Sequence, residues 1–120
     1  MVRCLIVDDS PRFLRSARSL LEHQGITVVG VASNSAEALQ RAEELQPDVT
    51  LVDIDLGGES GFELATRLHQ DGPHRSRVIL ISMRSREDYG DLIAASRARG
   101  FVSKTALSAG AIQQLLTDAG

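Results

Sequence analysis

Six side chains in this 120-residue chain could do chemistry together: Asp8, Asp9, Asp53, Asp55, Ser82 and Lys104. The chain is organised around Asp48 to Asp55, an apolar run bounded by Pro47 and by Gly57-Gly58 that ends in two carboxylates. Such a run reads as a central strand buried on both faces, with Asp53 where it leaves the core. A carboxylate at the carboxyl end of a strand in an open α/β sheet can be a nucleophile or a metal ligand. Alone, it would more readily cap the following turn. Its company decides the matter. Carboxylates crowded at one sheet edge repel and raise each other's pKa unless a cation intervenes. Oxygen ligands, and few of them, suit Mg²⁺, which keeps several waters. Lys104 then offers a fixed positive charge and Ser82 a hydroxyl, surroundings that suit a phosphoryl group held on Asp53.

That chemistry needs elements that bring the six residues to one edge. Val2 to Val7 reads as a first strand, with Asp8-Asp9 at its exit. Ser10 caps a helix, Pro11 suits its first position, and Phe13, Leu14, Ala17, Leu20 and Leu21 form its apolar face until Gly25. Ile26 to Ala32 is a second strand. Asn34 and Glu37 form a capping box before a helix facing inward through Ala38, Leu39, Ala42 and Leu45. After the third strand and a glycine-rich loop, Ser60 and Glu63 form another capping-box pair, and Phe62, Ala65 and Leu68 face the core. Asp71-Gly72-Pro73 is a turn signal. Val78 to Ile81 is the fourth strand, with Ser82 at its exit. Ser85 is expected to cap a fourth helix with Tyr89, Leu92 and Ile93 inside. Gly100 to Ser103 is a short fifth strand ending at Lys104. Ser108 starts a last helix with Ala111, Ile112, Leu115, Leu116 and Ala119 buried. Strand–helix repeated five times implies an α/β fold: an open, doubly wound, five-stranded parallel sheet with right-handed crossovers. A closed eight-fold barrel would need about twice the length.

The bulk composition fits one soluble domain, with 42% hydrophobic and 24% charged residues. The net charge of -3 argues against non-specific nucleic-acid binding by these residues. The single cysteine, Cys4, lies in an apolar run and reads as a buried, inert thiol. There is no signal-peptide pattern and no bilayer-length apolar run, so the expected location is the cytoplasm and no membrane partner is expected. His23, His69 and His74 show no ligand spacing and receive no role.

With Asp8-Asp9 after the first strand, Asp53 after the third, Ser82 after the fourth and Lys104 after the fifth, the chain resembles a response-regulator receiver domain of two-component signalling. The resemblance covers residues 1–120 as one receiver domain, with no output domain in this chain. It implies a flavodoxin-like (βα)5 sheet of strand order 2-1-3-4-5. It implies that Asp53 accepts a phosphoryl group from a sensor histidine kinase. Asp9 and Asp53 would bind Mg²⁺ directly, Asp8 would help through water, and the Asp55 backbone carbonyl would complete the protein ligands. Lys104 would pair with phosphoryl oxygens. Ser82 would swing toward the phosphoryl group and draw Phe101 inward, re-shaping the face of the fourth helix, fifth strand and fifth helix. The chain would be no enzyme beyond promoting its own phosphorylation and dephosphorylation. Residues 100–108 are most similar to receivers that precede LuxR-type helix-turn-helix domains. Either the receiver stands alone or a DNA-binding domain lies outside this chain; DNA would be reached only through such a domain, leaving room for a homodimer on phosphorylation.

Three positions depart from the family pattern. Gly57 replaces a usual proline, so the loop through Gly61 is expected to be more mobile. Met83 replaces a small residue, and its side chain would lie over the site and restrict access. Thr105 replaces a proline that follows a cis bond. A cis bond before a non-proline costs about 3–4 kcal/mol, so either Lys104–Thr105 is trans or the fold absorbs that cost. Asp55 and Arg84 occupy the family's variable positions beside the phosphoryl group, where an acid–base pair would tune phosphate lifetime. Two other readings exist. Asp53-Ile54-Asp55 mimics the DxD start of haloacid-dehalogenase-type phosphatases, although two strand–helix units precede it and Asp8-Asp9 has no role there. A receiver-like interaction module that takes no phosphate is the other, with Gly57, Met83 and Thr105 in its favour.

Overall fold

A computed structural model describes residues 1–70 and 77–117. The expected Asp71-Gly72-Pro73 turn, His74 and Ala119 lie outside the described residues. The strands are β1 (Arg3–Val7), β2 (Thr27–Ala32), β3 (Val49–Asp53), β4 (Asp55–Leu56), β5 (Glu59–Ser60), β6 (Arg77–Ser82) and β7 (Gly100–Ser103). The helices are α1 (Pro11–His23), α2 (Ser35–Leu45), α3 (Gly61–Gln70), α4 (Leu92–Ala95) and α5 (Ala109–Thr117). Five strands form one parallel sheet in the order β2-β1-β3-β6-β7. Set apart from the small β4–β5 hairpin, this is the expected 2-1-3-4-5 order.

The apolar strands divide their side chains between two cores because successive residues point to opposite faces. Cys4, Ile6, Leu51, Ile79 and Ile81 join Leu14, Leu21 and Ile112 on the α1/α5 face. Leu5, Val7, Val52 and Leu80 join Ala38, Leu64, Leu68 and Ile93 on the α2/α3/α4 face. All of β3 is buried, as its unbroken apolar run requires. The two faces thus clamp the strand that delivers Asp53.

The helix starts are set by short polar side chains. Ser10 Oγ accepts from Phe13 N–H at 3.2 Å, with Pro11 at the first helical position. Asn34 accepts from Glu37 N–H at 2.9 Å, while the Glu37 carboxylate reaches back to Ser33 N–H at 2.8 Å, one residue beyond the expected partner. Ser60 accepts from Glu63 N–H at 3.4 Å.

Several expectations are corrected. The glycine-rich loop is an antiparallel hairpin pairing Asp55 with Ser60 and Leu56 with Glu59. Its turn residues Gly57 and Gly58 have φ of +54° and +99°, the double positive-φ geometry that suits the twist of a tight hairpin. Proline cannot adopt that φ, which accounts for Gly57. The expected fourth helix is broken. Ser85 N–H and Oγ–H both donate to the Asp88 carboxylate, and only a 3₁₀ turn (Arg86–Asp88) follows before the four-residue α4. Gly90, at φ +57°, interrupts the run between them. Leu92 is 55% exposed rather than inside, and Leu20 of α1 also faces outward. Leu115 and Leu116 are half-buried, with Ala109 and Ile112 making the buried contacts of α5.

Candidate phosphoacceptor site

The parallel register sets the site. Asp53 pairs with Ile81 across β3 and β6, and Ser82 pairs with Ser103 across β6 and β7. Asp53, Ser82 and Lys104 therefore leave three successive strands at one edge, while β1 delivers Asp8 and Asp9 on the other side of β3.

Asp8 is fully buried and Asp53 nearly so, whereas Asp9 is exposed. One carboxylate oxygen from each lies within 4.8 Å of the others. Local turns hold two of these carboxylates: Asp8 Oδ1 accepts from Ser10 N–H at 2.8 Å, and Asp53 Oδ1 accepts from Asp55 N–H at 3.1 Å. Lys104 Nζ lies 2.5 Å from Asp8 Oδ2 and donates to Asp53 Oδ2 at 3.2 Å. The ammonium also sits 4.2 Å from the centre of the Phe13 ring, a cation–π contact that holds it over the site.

Burial pushes the Asp53 carboxyl up to about 6. The Asp55 N–H opposes that rise, the Asp8 charge adds to it, and Lys104 opposes it. Burial works against the charged form of Lys104, but the adjacent carboxylates of Asp8 and Asp53 outweigh it and hold the ammonium above its ordinary value. Three carboxylates facing one ammonium leave the cluster short of positive charge. Asp8 Oδ2 is buried and, despite the ionic contact with Lys104, has no aligned hydrogen-bond donor. An oxygen-only donor set with such an oxygen fits a small, hard divalent cation.

The remaining expected residues lie close by but differently engaged. Ser82 is buried, accepts from Arg84 N–H at 3.0 Å and shares a 2.6 Å hydroxyl–hydroxyl bond with Tyr89. Among the described residues it has no bond to Asp53 or Lys104. Phe101 is half-buried on β7. Asp55 and Arg84 are both exposed, and among the described residues no ion pair joins them. Met83 is 68% exposed and lines an open cleft with Ser10, Phe13 and Lys104. It flanks the lysine and does not seal the site. Among the described residues every peptide bond is trans, and Lys104 reaches Asp53 from that backbone.

Two residues of the site escaped the sequence reading. Phe13 was visible only as part of a helix face, and Tyr89 only as part of a helix interior. The one available signal was that Tyr89 is the sole tyrosine, seven residues beyond Ser82.

Residues 4–117 match the family described as the response regulator receiver domain. The chain belongs to that family. Among its relatives, the DNA-binding transcriptional activator EvgA of Escherichia coli K12 is 30% identical over 103 residues, covering 86% of this chain and 50% of EvgA. The response regulator GacA of Pseudomonas viridiflava is 31% identical over 117 residues, covering 96% and 54%. The solved structure of a LuxR-family two-component response regulator from Aurantimonas superposes with a TM-score of 0.84 at 26% identity, over 97% of this chain and 83% of that one. The receiver spans about half the length of these curated relatives. Family and strand order both set aside the phosphatase reading, because Asp8-Asp9 has a place in the receiver's cluster. Among the described residues no helix is long and apolar enough to cross a membrane.

Proposed function

We propose that Asp53 accepts a phosphoryl group from a phosphohistidine on a sensor histidine kinase. The observation that carries the reading is the end of β3, where Lys104 Nζ stands 3.2 Å from Asp53 Oδ2 and the Asp8 and Asp9 carboxylates complete an acidic cluster. An Asp53 carboxylate oxygen attacks phosphorus, the P–N bond breaks, and its electron pair leaves with the imidazole. The product is an acyl phosphate on Asp53. Lys104 neutralises charge on the phosphoryl oxygens. Asp8, Asp9 and Asp53, with the Asp55 carbonyl, would hold Mg²⁺, which supplies charge neutralisation for the incoming group. Ser82 then donates its hydroxyl to the phosphoryl group, and Phe101 follows it inward. Exposed Asp55 and Arg84 flank the path by which water would hydrolyse the acyl phosphate.

The output reading rests on relatives matched over about half their length, one of them named a DNA-binding transcriptional activator. We take residues 1–120 as one receiver domain acting in the cytoplasm, with its output, transcription, exercised through a DNA-contacting part outside these residues. The net charge of -3 agrees with DNA contact lying elsewhere. The phosphate-independent alternative drew on Gly57, Met83 and Thr105. Gly57 serves a tight hairpin, Met83 leaves the cleft open, and Lys104 reaches Asp53 despite Thr105, so none of the three supports it.

Intact-mass spectrometry after incubation with Mg²⁺ and acetyl phosphate tests the reading. One added phosphoryl group is expected, and it should vanish in Asp53→Ala and in EDTA. No addition from acetyl phosphate or from a panel of phosphorylated kinase domains would overturn it.

A further inference from the structure

The buried hydroxyl of Ser82 is already committed. It lies 2.6 Å from Tyr89 Oη and accepts from Arg84 N–H at 3.0 Å. Tyr89 in turn is gripped by two rings. Its ring meets Phe62 of α3 edge-on, at 5.7 Å between centroids and 71° between planes. It meets Phe101 of β7 at 6.1 Å and 53°. Tyr89 therefore joins the hydroxyl at the exit of β6 to the aromatic residue on β7. Phe101 has no hydroxyl, so it can follow Ser82 only by packing, whereas Tyr89 can do so by both packing and a hydrogen bond.

The local chain keeps this arrangement adjustable. Tyr89 lies between a single 3₁₀ turn, Arg86–Asp88, and the four-residue α4. Gly90 follows it at φ +57°. A segment with so little regular hydrogen bonding can reposition a ring without melting a long helix.

We propose that Tyr89 is a positioning residue: its hydroxyl holds Ser82 in the resting receiver and must release it when Ser82 turns to a phosphoryl group on Asp53. The inference rests on the phosphoacceptor reading and adds to it a latch on Ser82. Its direction follows from the hydrogen bonds of Ser82, which run to Tyr89 and Arg84 and, among the described residues, not to Asp53 or Lys104. Tyr89→Phe keeps the ring between Phe62 and Phe101 and removes only the hydroxyl. Losing one neutral hydrogen bond from the resting state shifts a two-state balance roughly five-fold toward the phosphoryl-bound arrangement.

The test is titration of the full chain with beryllofluoride, a phosphoryl mimic, in the presence of Mg²⁺. Wild type, Tyr89→Phe, Ser82→Ala and the double variant are compared after circular dichroism has shown each to be folded. Tyr89→Phe is expected to bind roughly five-fold tighter than wild type. In the Ser82→Ala background the same change should have no effect, because no hydroxyl remains to be held. A merely structural role for Tyr89 would give equal effects in both backgrounds, and that outcome overturns the proposal. So does unchanged binding by Tyr89→Phe beside a wild type that binds. If Tyr89→Phe fails to fold, Tyr89→Leu takes its place under the same two criteria. A wild type that binds no beryllofluoride overturns the phosphoacceptor reading itself, and the latch with it, so the two failures are told apart by the wild-type curve.

Discussion

At the scale of single residues, the site is an unequal division of one ammonium among several carboxylates. Lys104 lies within ionic reach of both Asp8 and Asp53, which are almost wholly buried. Lys104→Met keeps the stem and removes the charge, leaving two buried carboxylates with no cation. Breaking a buried pair from one side costs about 3–5 kcal/mol. The expected result in urea is a loss of that order, with added Mg²⁺ restoring more stability to the variant than it adds to wild type. Equal Mg²⁺ effects on the two proteins would show that the lysine and the cation do not serve the same carboxylates. Gly57 matters for a different reason. A Cβ there would stand 2.8 Å from Asp9 Oδ2, and φ is +54°. Gly57→Ala should cost about 1–2 kcal/mol of stability and displace the Asp9 carboxylate. Mg²⁺ affinity, read by titration calorimetry, should then fall roughly ten-fold. An unchanged affinity would remove Asp9 from the proposed cation ligands. The carboxylates and the lysine were legible in the sequence because each follows an apolar run, and strand exits are easy to place. Tyr89 was not, because its partner Ser82 is reached across an irregular turn that no periodicity describes.

At the scale of elements, legibility followed regularity. Strands β1, β2, β3, β6 and β7, and helices α1, α2, α3 and α5, carry continuous apolar or 3.6-residue patterns and lie where those patterns place them. The segment after β6 also has apolar residues at helical spacing, Tyr89, Leu92 and Ile93, but it has Gly90 in its middle, and its apolar Leu92 is exposed. A pattern of apolar spacing cannot show that the backbone has left helical geometry. Two glycines make the contrast measurable. Gly61 opens α3 with its Cα so close to the backbone of Asp53 and Ile54 that any Cβ would clash with main-chain atoms. Gly61→Ala must push α3 away from the end of β3, at a cost of about 1–3 kcal/mol, and the proposed phosphoryl acceptance at Asp53 should weaken with it. Gly110 lies in α5 with nothing nearer than 3.9 Å to its Cβ position and no positive φ. Gly110→Ala should therefore stabilise the fold by about 0.5–1 kcal/mol. Thermal melts of the two variants should move in opposite directions; a destabilised Gly110→Ala would mean that α5 is not helical at that residue.

At the scale of the whole molecule, one sheet separates two cores, and the site sits at the edge where both end. The strands must be apolar on both faces, so the only charges they carry lie at their ends, and that is why the charged groups of the candidate site collect there. Cys4 reports on the opposite condition, the dry centre of β1. It is fully buried among Ile6, Leu51 and their neighbours, and burial pushes its thiol up to about 12 from an ordinary 9.0. The folded state thus keeps the proton that the unfolded chain releases first. The stabilisation linked to that proton is fully present below about pH 9 and is lost progressively as pH rises toward about 12. Over that window each pH unit should cost the wild type about 1.4 kcal/mol that Cys4→Ala does not lose. Urea unfolding of both proteins from pH 8 to pH 10.5 checks this. The variant starts lower, because it leaves a small cavity, and the gap should close as pH rises. A constant gap would mean that water reaches the thiol in the folded state and that the sheet is not sealed between its two layers of helices.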